Sequence, residues 1–292
     1  MKILLFGAGG LLGSHLRQEW GAHELTALTR AGADITDARR LDELFREPWD
    51  VVVNAAAICN FDACETDPAS TGKVNRDAPL DLARRCHAAG CVFVQFSSDY
   101  VFPGTVDRPL TEEDPTAPLS VYGKQKADLE RDIPRICPRS LVVRLSWLYG
   151  LRGKTFMSLL PDLLAGQEVL RVAGGKKGRC LYVRDAAIWV ARLLAAGRPG
   201  LVNLVNDGDT SWEQFARAAL ERMKALGMET RCRQIEEVPY EQLGANWSKR
   251  PRWSCLDISR LQHMHPPGPR PWTEAVESFL REQKSVAASR PL

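Results

Sequence analysis

The chain opens with a strand-like run, Lys2-Ile-Leu-Leu-Phe6, that passes directly into the glycine turn Gly7-Ala-Gly-Gly10-Leu-Leu-Gly13 and then into the helix-like segment Ser14 to Trp20. Strand, glycine turn and helix in this order constrain the fold more than any other feature, because they form the first half of a parallel crossover unit. The glycines allow the backbone to approach a pyrophosphate closely, and the free amides of a new helix attract its charge. Gly7, Gly10, Leu11, Leu12 and Gly13 are therefore candidate dinucleotide contacts.

The same alternation continues downstream. Glu24 to Leu28, Val51 to Val53, Val92 to Phe96 and Leu141 to Leu145 are short, apolar or β-branched, and bounded by turn residues. Between them, Ala38 to Arg46, Ala78 to Ala88 and Gln125 to Arg131 carry helical periodicity. Strands alternating with helices imply an α/β fold with a doubly wound parallel sheet of the Rossmann type. After about residue 148 prolines and glycines interrupt the pattern, and Tyr182 to Ala196 reads as a helix returning to the sheet. The expected division is a dinucleotide-binding domain of residues 1–147 plus 181–198 and a smaller mixed α/β substrate domain of 148–180 plus 199–292, with a loose tail after Lys284.

Ligands in such sheets bind beyond the carboxyl ends of the strands. Gly7 to Gly13, Asn54-Ala-Ala-Ala57, Ser97-Ser-Asp99 and Ser146-Trp147 all follow expected strand ends and should converge on one crevice. Tyr122 and Lys126 are four residues apart, so on a helix they share one face. A free phenol has a pKa of about 10, and a nearby ammonium favours the phenolate and lowers it. Tyr122 is thereby expected to become a usable acid near neutrality.

Composition narrows the function classes. The 292 residues suffice for one large domain or one and a half, and 39 basic against 36 acidic residues give a net charge of +3, too mild to argue for nucleic acid. No stretch is apolar for the roughly 18 residues needed to span a bilayer, so a cytoplasmic protein without membrane partners is expected. The eight cysteines include no CxxC pair. Cys59/Cys64 and Cys86/Cys91 are each five apart, about 140° on a helix, which suits buried thiols better than a metal clamp. His23, His87, His263 and His265 lack ligand partners at recognisable spacing.

The segments Ser97-Ser-Asp-Tyr-Val-Phe102, Tyr122-Gly-Lys-Gln-Lys126, Arg144-Leu-Ser-Trp147, Tyr182-Val-Arg-Asp185 and Arg250-Pro251, with Val52 to Ala57 and Val74-Asn75, follow one another nearly end to end. In this order the chain resembles the dTDP-4-dehydrorhamnose reductases, extended short-chain dehydrogenases that reduce a 4-keto sugar nucleotide with NAD(P)H. The spacing GxxGxxG at residues 7–13 suits that group. The resemblance implies a catalytic set of Ser98, Tyr122 and Lys126, with Asp99 and Tyr100 bordering the sugar and Trp147 lining its pocket. Asn54, Ala55, Ala56 and Ala57 would lie along the cofactor, together with Ser97, Tyr122 and Lys126. Arg250 would contact the substrate, and the chain would be a monomer or homodimer.

The end of the second strand bears on the cofactor. Thr29-Arg30 offers an arginine and no acid, which favours a 2′-phosphate and hence NADPH, with NADH possible. Asp34 and Ile35 would border the adenine.

The chain departs from the family's pattern in places. Gly175-Lys-Lys-Gly-Arg-Cys-Leu181 replaces Asp-Gln-x-Gly-x-Pro-Thr and keeps only Gly178, while Cys59 and Phe61 stand where smaller residues are common. His15 replaces the first-helix glutamate that some members use in a magnesium-linked dimer, so no metal is expected. Lys176, Lys177, Arg179, Arg250 and Arg252 suit either a diphosphate or a solvated loop. Two alternatives accordingly stand beside a reductase: a non-catalytic NADP-binding regulatory subunit, as in the related β subunit of methionine adenosyltransferase, and a nucleotide-sugar epimerase or dehydratase.

Overall fold

The computed structural model describes residues 1–239, 242 and 249–288. Its centre is a parallel sheet built from β1 (Lys2–Phe6), β2 (Glu24–Leu28), β3 (Val51–Asn54), β4 (Val92–Ser98), β5 (Ser140–Leu145) and a sixth strand, Gly200–Leu204. The order is β2-β1-β3-β4-β5 followed by the 200–204 strand, with every pairing parallel. Alternating side chains explain why both faces must be covered. Ile3 and Leu5 enter one core with α1 (Leu11–Glu19) and the helix Val183–Ala195, while Leu4 and Phe6 enter another with α2 (Ala38–Leu44) and the helix Ala78–Ala89. A doubly wound sheet results, as the alternation of elements requires.

The sixth strand lies beyond residue 198, where the cofactor domain was expected to end. Leu201 turns toward one core and Val202 and Leu204 toward the other, so the segment covers the free edge of β5 and extends the sheet. Residues 61–77, where no element was expected, carry two short helices, Phe61–Thr66 and Pro68–Gly72, and a π turn, Lys73–Asp77. Asn60 and Asp67 cap the two helices with their side chains. The C-terminal helix runs from Trp272 to Ala288, through the first residues of the tail expected to be loose; 289–292 lie outside the described residues.

Smaller strands sit beside the main sheet. Val169–Ala173 pairs with Gln234–Val238, and Lys177–Gly178 lies between Thr210–Ser211 and Trp253–Ser254. All eight cysteines are free thiols, and only Cys59 is exposed. Among the described residues no helix is long and apolar enough to cross a membrane, and no three His, Cys, Asp or Glu side chains gather as a metal site would need.

Candidate active site

A cavity of about 920 Å³ opens beyond the carboxyl ends of β1, β3, β4 and β5. Its wall includes Gly10, Leu11 and Leu12, Asn54 to Ala57, Ser97 to Tyr100, Tyr122, Lys126, Trp147 and Arg250. The structure therefore brings most of the sequence-derived candidates together. Gly7 and Gly13 lie beneath the turn instead. Gly7 has φ +75°, and a Cβ on Gly13 would fall 2.1 Å from the Gly7 carbonyl oxygen, so these positions let strand, turn and helix pack. Arg30, Asp34 and Ile35 are not on the cavity wall; they follow β2, whose Leu28 carbonyl accepts the Ala8 N–H at 3.0 Å.

The end of α1 suits an anion. Gly10 occupies its N-cap without a side-chain cap, and the first turn holds no acidic residue. The free amides at this end thus meet no competing carboxylate. Ser97 Oγ, on the same wall, is buried without a hydrogen-bond partner. Both observations fit a dinucleotide whose phosphates rest on the helix end.

Asn54 links this region to the candidate chemistry. Its Nδ2 donates to Gln95 Oε1 at 2.9 Å, while its Oδ1 accepts the Ala56 N–H at 3.1 Å and shapes the 55–57 turn. Gln95 Nε2 donates in turn to the Phe96 carbonyl at 2.9 Å, which also receives Lys126 Nζ at 3.1 Å. One buried network therefore ties β3, β4 and the helix Val121–Ile136.

That helix starts at Ser120, whose Oγ accepts the Gly123 N–H at 3.1 Å. Tyr122, Lys126, Leu129 and Ile133 form its buried stripe. Gly123 lets it approach closely, since a Cβ there would lie 2.2 Å from the Tyr100 carbonyl oxygen. Tyr122 packs its ring against Phe61 and Tyr100, with centroids 5.2 and 6.3 Å away, and its Oη is 4.0 Å from Cys59 Sγ.

The expected lowering of the Tyr122 pKa does not occur. Burial pushes the phenol well above its ordinary value, and Cys59, Asp99 and Tyr100 reinforce the effect. Lys126 Nζ lies 5.6 Å from the Tyr122 ring centroid and is committed to the Phe96 carbonyl, and its own pKa is lowered by burial. Desolvation outweighs the neighbouring ammonium here, so Tyr122 retains its proton.

Ser98 Oγ donates to Asp99 Oδ1 at 3.1 Å and accepts the Tyr100 N–H at 3.3 Å. Asp99 is buried, and Ser254 Oγ donates to its Oδ2 at 2.5 Å. Burial raises the Asp99 pKa, partly opposed by the charge of Lys176.

The cavity wall also contains Trp147, Lys176 and Trp212. A Cβ on Gly178 would fall 2.5 Å from Trp147 Cζ2, so the retained glycine is what lets the indole lie there. Lys176 is buried, and its Nζ lies 5.2, 5.5 and 5.9 Å from the ring centroids of Tyr100, Trp147 and Trp212. Of the five cations around the altered loop, only Lys176 and Arg250 reach the cavity. Arg179 pairs with Asp209 at 2.6 Å, and Lys177 lies 3.8 Å from Asp107.

A family model described as the RmlD substrate binding domain matches residues 1–285. The chain belongs to this family. It is 35% identical over 290 residues to a dTDP-4-dehydrorhamnose reductase of Streptomyces griseus, covering 95% of this chain and 93% of that protein. It is also 33% identical over 289 residues to the spore coat polysaccharide biosynthesis protein SpsK of Bacillus subtilis, covering 98% and 99%. The solved dTDP-4-dehydrorhamnose reductase of Bacillus anthracis in complex with NADP superimposes with a TM-score of 0.88 at 25% identity, covering 97% of this chain and 100% of that one. The architecture of the family, a mostly parallel Rossmann-like sheet with flanking helices, is the one found here.

Several cavity residues escaped the sequence reading. Gln95 could have been noticed as a polar residue inside an otherwise apolar strand. Trp212 follows the N-cap Ser211 of a remote helix and carries no local signal of its place.

Proposed function

We propose that this chain reduces the keto group of a dTDP-linked 4-keto sugar with NADPH, with Tyr122 as the proton donor. The observation that carries this reading is the presence, on one cavity wall, of a buried protonated Tyr122, the Ser98 hydroxyl and the uncapped end of α1. The names of the reductase relatives support the substrate class.

When bound, the reduced nicotinamide supplies the hydride that the carbonyl carbon accepts. As charge grows on the carbonyl oxygen, Tyr122 Oη gives its proton to that oxygen and the product is an alcohol. Ser98, on rotating its hydroxyl from Asp99, donates a hydrogen bond to the same oxygen. In this reading Lys126, whose Nζ donates to the Phe96 carbonyl, gives a further N–H to a ribose hydroxyl. The aromatic wall of Phe61, Tyr100 and Trp147 keeps water from the reacting carbonyl.

NADPH is preferred over NADH because Arg30 can turn to a 2′-phosphate. Among the described residues its guanidinium is held only by Asp34, at 3.1 Å on the surface, a type of pair worth about 0–1 kcal/mol. Residues 1–147 with 181–204 hold the cofactor in this scheme, and the remainder shapes the sugar side.

Steady oxidation of NADPH by a dTDP-4-keto sugar, reduced about 10²- to 10⁴-fold in Tyr122→Phe with NADPH affinity retained, is the expected result. Tight NADPH binding without turnover of any keto-sugar nucleotide, together with an altered rate of a partner enzyme, would instead identify a regulatory subunit.

A further inference from the structure

Val121 opens the helix that carries Tyr122, and its N–H is among those at a helix start that have no partner within the helix. The N-cap Ser120 serves Gly123 instead, and the first turn holds no acidic residue of its own. The partner of Val121 comes from another element. Glu65, in the helix Phe61–Thr66, takes the Val121 N–H on Oε1 at 2.8 Å. A carboxylate there also meets the positive end of the helix dipole. Its other oxygen, Oε2, receives Lys249 Nζ. Burial pushes the Glu65 pKa up, but the Lys249 ammonium and the Val121 amide outweigh it and hold the carboxyl below its ordinary value. The group is therefore ionised at neutral pH.

Three segments that border the cavity meet at this carboxylate. The helix Phe61–Thr66 begins with Phe61, whose ring lies 5.2 Å from that of Tyr122. Val121 immediately precedes Tyr122. Lys249 immediately precedes Arg250, on the cavity wall, and Ser254 farther along that segment donates to Asp99. The Tyr122 hydroxyl is itself lightly held: its hydrogen-bond partner among the described residues is the Cys59 thiol, 4.0 Å away, and a thiol is a weak partner. Where the phenol stands is decided by the packing of its ring and by the backbone that carries it. N–H groups at a helix start point along the axis, so the bond to Glu65 opposes sliding of the helix in that direction.

We infer that Glu65 is a positioning residue for Tyr122, a carboxylate that ties the start of the proton donor's helix to residues 61–66 and 249–254. This rests on the reductase reading, with Tyr122 as proton donor, and adds the group that keeps the donor in place.

Two measurements made together test the anchor: steady-state reduction of a dTDP-4-keto sugar by NADPH, and amide hydrogen exchange of the peptide spanning residues 119–126. Glu65→Asp keeps the charge but withdraws it by about 1.5 Å, so it either loses the Val121 N–H or pulls the helix after it. Glu65→Gln keeps the reach and an oxygen acceptor without the charge. Since misplacement by about 1 Å can cost roughly 10²-fold in rate, kcat should fall about 10²-fold in Glu65→Asp and Glu65→Ala, and less than about tenfold in Glu65→Gln. The NADPH Kd should change less than kcat. Exchange at 119–126 should quicken about tenfold in Glu65→Asp and Glu65→Ala. A solvent deuterium isotope effect on kcat larger in Glu65→Asp than in the unsubstituted chain marks a displaced proton donor. If Glu65→Ala does not fold, the order of Glu65→Asp and Glu65→Gln decides. Undiminished kcat in folded Glu65→Asp overturns the inference. So does a Glu65→Gln as slow as Glu65→Asp with an unaltered isotope effect, which would leave Glu65 a role in stability alone. Quickened exchange in Glu65→Asp, in a chain that turns over no keto-sugar nucleotide, would keep the anchor and remove the reductase; turnover and exchange both indifferent to the substitutions would do the reverse.

Discussion

Gly123 is the position where a single methyl group should disable the site without touching its chemistry. An alanine Cβ there would lie 2.2 Å from the Tyr100 carbonyl oxygen and 3.0 Å from Pro118 Cβ, and the nearer contact is backbone. Ordinary contact needs about 3.4 Å or more, so the helix carrying Tyr122 and Lys126 must withdraw by about 1 Å. Misplacement by about 1 Å can cost roughly 10²-fold in rate, or about 2.7 kcal/mol of transition-state stabilisation. Gly123→Ala should accordingly lower kcat/KM for NADPH-dependent keto-sugar reduction by about two orders of magnitude, read as NADPH absorbance loss. A control is Gly166→Ala, at the end of the helix Phe156–Gly166, where a Cβ meets nothing within 4 Å. Gly123→Ala with undiminished kcat/KM would refute the claim that close packing of the helix on residue 100 sets the position of Tyr122.

Other substitutions probe separate parts of the structure. Arg30→Ser should raise the Kd for NADPH about tenfold while leaving that for NADH unchanged, as fluorescence titration of the two cofactors would show; equal effects on both would remove Arg30 from cofactor discrimination. Glu130, on the same helix as Tyr122, receives Arg144 through two hydrogen bonds of 2.8 and 2.7 Å, with both side chains buried. Glu130→Gln leaves that guanidinium without its counter-charge and should cost about 3–5 kcal/mol in denaturant unfolding. A loss below about 1 kcal/mol would show that the pair does little to anchor the helix to β5.

What the sequence disclosed was local. The glycine turn, the short strands and helices and the Tyr122-to-Lys126 spacing are each properties of a few adjacent residues, and the structure contains them all, with Gly10, Tyr122 and Lys126 at the crevice. The state of Tyr122 was not readable, because its hydroxyl is governed by Cys59, Asp99 and burial, all set by elements far away in the chain. Lys126 is near in sequence and in space, yet its ammonium is bonded to a carbonyl in β4. Lys176 was one of five similar cations in the text of the chain. What distinguishes it, the rings of Tyr100, Trp147 and Trp212, comes from three separate segments. The strand Gly200–Leu204 was overlooked because a five-residue run after a Gly-Arg-Pro-Gly turn resembles any short strand; only its pairing with β5 shows where it belongs.

That late strand also sets an order of events during synthesis. The edge of β5 can be covered only after residue 204 has left the ribosome, long after the glycine turn and the Tyr122 helix have emerged. Until then a nascent chain carries a nearly complete parallel sheet whose β5 edge is open as well as its β2 edge, available to a second ribosome product. A chain halted near residue 195 would be the species to guard against aggregation, and it would already contain Ser98, Tyr122 and Lys126.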